Sequence, residues 1–231
     1  MAKVNQQIVG LGGGGDTPEQ THALLRHVVG LTGKERPKIM LVPTATADSP
    51  ELITSFYESY QPLGELSHAR FFPYPPANLR ELVLSQDAIR VSGGNTANML
   101  AIWRVHRFEQ ILREAWESGV VLFGESAGMI CWFEAGVTDS FGLQLEGMRD
   151  GLGFLPGSAC PHYDGEARRR PRYRELVDDG FPEGLAADNG VGLHFVGREL
   201  REVITCRPGA SAYRVTITGE ARLEARLLPA A

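Results

Sequence analysis

The sequence predicts an α/β fold: a mostly parallel sheet flanked by helices, with antiparallel strands near the C-terminus. Three observations carry that reading. Short apolar runs rich in β-forming residues alternate with helical patterns over residues 7–130, as strands buried on both faces do. One of these runs, residues 119–133 (GVVLFGESAGMICWF), passes from a buried strand through G-x-S-x-G into an apolar stretch with no turn residue. Residues 191–227 instead hold closely spaced strand-like segments separated by Gly turns.

Taken in order, residues 7–11 (QIVGL) form the first strand, and the Gly run 12–15 closes it. Asp16 or Thr17 can cap a helix that continues through Leu24, Leu25 and Val28 at helical spacing. Residues 38–42 (KIMLV) are the second strand, and residues 50–62 an amphipathic helix carrying Leu52, Ile53, Phe56 and Tyr57. A third strand is expected at residues 69–72, then a proline-rich loop at 73–76, a short helix at 78–84 and a fourth strand at 87–91. Residues 92–96 (SGGNT) lead into a helix with Met99, Leu100, Ile102 and Trp103. The elbow strand is fifth, and the apolar residues after Ser126 predict the start of a buried helix. Sites in parallel sheets form at the carboxyl ends of strands, so the loops at Gly12, Pro43, Gly93 and Ser126 fall on one edge. Beyond the elbow, residues 151–156 and 158–161 read as sheet or turn segments. Residues 191–196, 202–206, 213–218 and 221–227 read as strands. With no repeat, low-complexity tract or linker, residues 1–231 read as one domain.

Composition narrows the function. The chain is 43% hydrophobic and 22% charged, which excludes disorder, and its 231 residues suffice for a sizeable core. A formal net charge of −5 argues against a nucleic-acid or membrane-surface binder. Residues 1–7 are polar and the apolar run after them is broken by Gly, so no signal peptide is read, nor any span long enough for a bilayer. Cys131, Cys160 and Cys206 are far apart and lack C-x-x-C spacing, which suits reduced thiols in a cytoplasmic protein. Six His without H-E-x-x-H spacing point to no metal, and nothing calls for a cofactor.

The chemistry centres on Ser126. At a nucleophile elbow the serine occupies a cramped turn with its hydroxyl toward solvent, and the flanking Gly residues leave room for the neighbouring strand and helix. A serine needs a base, and the base an orienting group. His22, His27 and His106 fall in helical patterns, while His68 and His194 are at or in strands. His162, in residues 160–164 (CPHYD), follows a strand-like segment in a loop stiffened at its entry by Pro161. The run GGGGD at residues 12–16 admits two readings: a phosphate cradle at a helix N-terminus, or a loop passing close to its neighbours without side chains. It matches neither G-x-G-x-x-G nor a P-loop, which favours the second.

These stretches together resemble the dipeptidase E serine peptidases, the aspartyl-dipeptidase and cyanophycinase-like group. The resemblance rests on the Gly run, GGNT at residues 93–96, GESAG at 124–128, PHYD at 161–164 and ADNG at 187–190. It implies a fold related to class I glutamine amidotransferases. It also implies Ser126 as nucleophile, His162 as base, and the N–H groups of Gly94 and Ala127 as oxyanion hole. Family members place Glu or Asp in the turn at residues 188–190. Counted back from Gly190 that place holds Asn189, one residue after Asp188; side-chain chemistry favours Asp188 as the third member, with Asp139 in reserve. By the same resemblance Arg169 would pair with a substrate carboxylate, and Asn95 would contact substrate or only cap the next helix. The expected activity is hydrolysis of dipeptides or short peptides, including Asp-X, without nucleic-acid or membrane partners; a homodimer is left open. The alternatives are an esterase or amidotransferase-like hydrolase, and a non-catalytic nucleotide-binding module.

Overall fold

A computed structural model describes residues 6–229. Residues 1–5, on which part of the leader reading rests, lie outside the described residues. The first half alternates as expected: β1 (Gln7–Leu11), α1 (Pro18–Gly30), β2 (Lys38–Val42), α2 (Pro50–Tyr60), β3 (Glu65–His68), α3 (Leu79–Leu84), β4 (Ala88–Val91), α4 (Thr96–Val105), α5 (Phe108–Glu117) and β5 (Val121–Glu125). Then come α6 (Ala127–Ile130), β6 (Phe133–Thr138), β7 (Glu146–Met148), β8 (Leu155–Cys160), α7 (Arg169–Asp178) and β9 (Gly184–Ala187). The chain closes with β10 (Val191–Val196), β11 (Glu199–Thr205), β12 (Ala212–Thr216), β13 (Gly219–Leu223) and β14 (Arg226–Leu227).

These strands form two sheets. The first has the order β14-β11-β10-β1-β5-β4-β2-β3, and β1, β5, β4, β2 and β3 run parallel. The antiparallel pair β10 and β11 extends it beyond β1. The second sheet, β13-β12-β9-β8-β6-β7, is mixed: β6, β8 and β9 are parallel and their neighbours antiparallel. Alternate residues of β5 serve the two faces of the first sheet. Leu122 joins the core shared with α4, α5, α6 and the second sheet; Phe123 joins the core under α1 and α2.

Two sequence expectations need correction, and one helix was not anticipated. The third strand is Glu65–His68, not residues 69–72. Past Ala69, the Phe71 and Phe72 N–H groups donate to the buried Asp48 carboxylate at 2.5 and 2.8 Å, so a side chain replaces the strand ladder. The helix after Ser126 is a single turn. It stops because the carbonyls of Cys131, Trp132 and Phe133 accept from Leu152, Leu155 and Gly153, and the chain turns into β6. Finally, α5 is a separate element set off by Arg107 in the left-handed region, with Phe108, Leu112, Ala115 and Trp116 buried on one face.

The elbow turn is packed without slack: a Cβ on Gly124 or Gly128 would overlap the Val91 carbonyl. Gly128→Ala is therefore expected to cost about 1–3 kcal/mol in urea unfolding. Gly30, with nothing within 4 Å of its would-be Cβ, is the control; Gly30→Ala is expected to be neutral or stabilising by up to about 1 kcal/mol.

Candidate active site

Ser126 joins β5 to α6 with φ 56° and ψ −113°, a conformation costing about 1–3 kcal/mol for a residue with a side chain. The surrounding packing sustains it. The Ser126 N–H donates to Leu11 O at 3.3 Å, and its carbonyl accepts from Met129 and Ile130, both at 2.9 Å. The preceding Glu125 is held by the largely covered Arg90, whose guanidinium lies over the Tyr60 ring and whose Nη2 donates to Oε1 at 2.6 Å. Sequence reasoning missed this pair because Arg90 sits in an otherwise apolar strand.

His162 follows β8, also at positive φ (53°), and its N–H donates to Gly12 O at 2.9 Å. Its Nδ1 lies 2.7 Å from Asn189 Oδ1. An amide oxygen only accepts, so Nδ1 carries the proton and Nε2 keeps a free lone pair, the tautomer a general base requires. Asn189 is fixed in turn: its N–H donates to Asp164 Oδ1 at 2.8 Å, and the N–H of Gly190 (φ 76°) donates to Gly13 O at 3.1 Å. Gly13 lies directly over the imidazole–amide bond. A Cβ there would stand 2.9 Å from His162 Nδ1 and overlap Asn189 Oδ1.

Asp188, expected as the partner of His162, faces elsewhere. It exchanges two hydrogen bonds with Ser211, donating its N–H to Ser211 O at 3.0 Å and accepting the Ser211 N–H on Oδ2 at 2.9 Å. The side chain thus continues the β9–β12 ladder, and burial pushes its carboxyl pKa up. Asp139, the reserve, is exposed beyond β6. The residue at the ring is Asn189, the place that counting back from Gly190 marks.

Arg169 is likewise not open to a substrate. It is 2% exposed, its Nε and Nη2 fork binds Glu166 at 2.7 and 3.2 Å, and Nη1 donates to Val137 O at 3.1 Å. Asn95 caps α4 by accepting the Asn98 N–H at 2.8 Å, and its amide donates to Ser140 O at 3.0 Å, so both ends are engaged in the loops. Gly94 is exposed at φ 132°, pressed against Ala45, whose carbonyl accepts the Asn95 N–H at 2.8 Å. A Cβ on neighbouring Gly93 would come 3.3 Å from Ser126 Cβ, so this loop runs beside the serine. Ala127 begins α6, where an N–H has no intrahelical acceptor.

The GGGGD run passes close to its neighbours, where a Cβ on Gly12, Gly13 or Gly15 would overlap adjoining atoms. The N–H groups of Gly12, Gly15, Asp16 and Thr17 donate to Val191 O, Thr21 Oγ1 and Gln20 Oε1 within the protein. Among the described residues no three His, Cys, Asp or Glu side chains are grouped to hold a metal ion.

The sequence profile of peptidase family S51 matches residues 8–203, a stretch containing Ser126, His162 and Asn189. The chain belongs to peptidase family S51. The resemblance to dipeptidase E is thereby borne out. This S51 chain is 46% identical over 213 residues to the uncharacterized peptidase YgaJ of Bacillus subtilis (strain 168), covering 91% of this chain and 92% of that protein. Peptidase E of Pasteurella multocida (strain Pm70) is 26% identical over 148 residues, 60% of this chain and 63% of that protein. A crystal structure of a peptidase from an acI-B1 actinobacterium shares the S51 chain's fold, with TM-score 0.69 at 19% identity over 97% and 96% of the two chains.

Three substitutions test these placements. Asn189→Ala is expected to lower peptide hydrolysis by about 100-fold or more by freeing the ring. Asp188→Asn should leave kcat within a few-fold of wild type and act mainly on the denaturation midpoint. Arg169→Met is expected to reduce stability by about 1–3 kcal/mol and to lower hydrolysis of acidic and neutral peptides alike. A loss confined to acidic substrates would return Arg169 to the binding site.

Proposed function

We propose that this peptidase is a serine-type dipeptidase, cleaving dipeptides or short peptides through an acyl-enzyme on Ser126. The observation that carries the reading is the His162 Nδ1–Asn189 Oδ1 contact of 2.7 Å, which leaves Nε2 free to act as the base, while the N–H groups of His162 and the elbow Ser126 bind the adjacent carbonyls of Gly12 and Leu11. In the first step Ser126 Oγ attacks the scissile carbonyl while Nε2 takes its proton. The N–H groups of Gly94 and Ala127 stabilise the oxyanion. Protonated His162 then gives the proton to the departing amine, and water, activated by the same nitrogen, releases the acid and restores the serine. Asn189 orients the ring through one hydrogen bond without supplying the charge a carboxylate would bring.

The central parallel strands around an elbow support the proposed relation to the class I glutamine amidotransferase-like fold, acting here as one peptidase domain. No helix among the described residues is long and apolar enough to cross a membrane. The three buried, unbridged cysteines support a cytoplasmic setting. Asp-X selectivity, implied by the resemblance, has no support from Arg169, whose guanidinium is engaged by Glu166 and Val137. The same apparatus would act on an ester. Family membership favours the peptide, and the internally engaged Gly run disfavours a nucleotide site.

The test is a screen of X-Ala and Asp-X dipeptides, with labelling by a fluorophosphonate probe. Ser126→Ala is expected to fold normally, to lose roughly a thousandfold or more in turnover and to escape the label. Retained activity in that variant rejects the mechanism.

A further inference from the structure

Arg207 lies in the loop between β11 and β12, beyond the stretch matched by the S51 profile and outside every motif considered above. Its side chain is about four-fifths buried yet touches three separate loops of the site. Nη1 donates to Asp164 Oδ2 at 2.7 Å and to the Asn189 carbonyl at 2.8 Å. Nε lies 2.8 Å from Asp16 Oδ1, at the end of the Gly run. The aliphatic stem covers Gly190, where a Cβ would come within 2.6 Å of Cδ. Asp164 completes the bracket, since its other oxygen accepts the Asn189 N–H at 2.8 Å.

A carboxylate partner would hold an imidazolium by charge as well as by hydrogen bonding. A neutral amide cannot, so the aim of the ring depends on how rigidly the amide itself is held. Both backbone polar groups of Asn189 are fixed by the Asp164–Arg207 pair, and an ion pair sets Arg207 against Asp16, at the end of the Gly run whose Gly12 carbonyl holds His162. We propose that Arg207 is a positioning residue: it fixes the Asn189 turn so that Oδ1 meets His162 Nδ1 in the orientation Ser126 needs. The inference rests on the Ser126–His162 reading and adds to it a residue that touches neither.

The experiment uses the full chain with Arg207→Met, which keeps the stem over Gly190, and Arg207→Lys, which keeps the charge. Two readouts are followed: the rate of fluorophosphonate labelling at Ser126, and the ring signals of ¹⁵N-labelled histidines, with His162 assigned by His162→Gln. Arg207→Met is expected to label about tenfold to a hundredfold more slowly. The His162 Nδ1–H signal should shift or broaden, and the signals of the other five His should stay in place. Arg207→Lys should recover part of the rate, having a charge but no planar fork. Labelling at the wild-type rate with an unmoved His162 signal overturns the proposal, as does an equal disturbance of all six. If Arg207→Met fails to fold, Asp164→Asn decides: slow labelling supports the bracket, and the wild-type rate overturns it. If wild-type protein does not label, the serine reading falls, and the His162 signal alone then decides whether Arg207 aims the ring.

Discussion

Three successive carbonyls at the end of the first strand hold this site together. Leu11 accepts from Ser126, Gly12 from His162 and Gly13 from Gly190 in the Asn189 turn. Each bond is worth only about 1 kcal/mol net, but together they place Ser126, His162 and the Asn189 turn against one rigid reference. That reference lies in the middle of the first sheet, between β10 and β5, with every residue of β1 buried. Side chains are excluded there for a physical reason. A Cβ on Gly12 would overlap the Asp188 carbonyl, and one on Gly13 would overlap the Asn189 amide.

The site is also a seam between the two sheets. Ser126 belongs to the end of β5 in the first sheet, whereas His162 and Asn189 follow β8 and β9 in the second. Both Ser126 and His162 sit at positive φ, a strain that local sequence would not sustain. It persists because residues from both sheets share one core, including Leu122, Met129, Leu155, Ala159 and Ala187. The chemistry therefore depends on packing between layers more than on any single loop.

What could be read from the sequence was local. Periodicity located β1, β2, β4, β5 and most helices, and the Gly–Ser–Gly pattern located the elbow, because both signals are complete within a few residues. The second sheet was not legible, since β6 pairs with β8 and β9 with β12 across long gaps. The orienting residue shows a different failure. Position pointed to Asn189, and a preference for carboxylate chemistry moved the expectation to Asp188, a residue occupied by the Ser211 backbone. Arg169, expected to meet a substrate carboxylate, belongs to a run of arginines engaged within the protein. Read as a block it suggests a positive wall, but Arg169, Arg170, Arg172 and Arg174 pair with Glu166, Glu220, Glu175 and Asp178. Only Glu166, Glu175 and Asp178 are close enough in sequence to be anticipated.

The carbonyl triplet also sets a condition on biosynthesis. The first strand leaves the ribosome early, yet the groups that claim its three carbonyls belong to residues 126, 162 and 190, the last of them nearly a whole chain later. Until those residues are made, the three carbonyls lack the partners that align the site. Contacts of such long sequence separation are the slow ones to form. The alignment of the site is therefore a property of the whole chain, with no short segment of it sufficient.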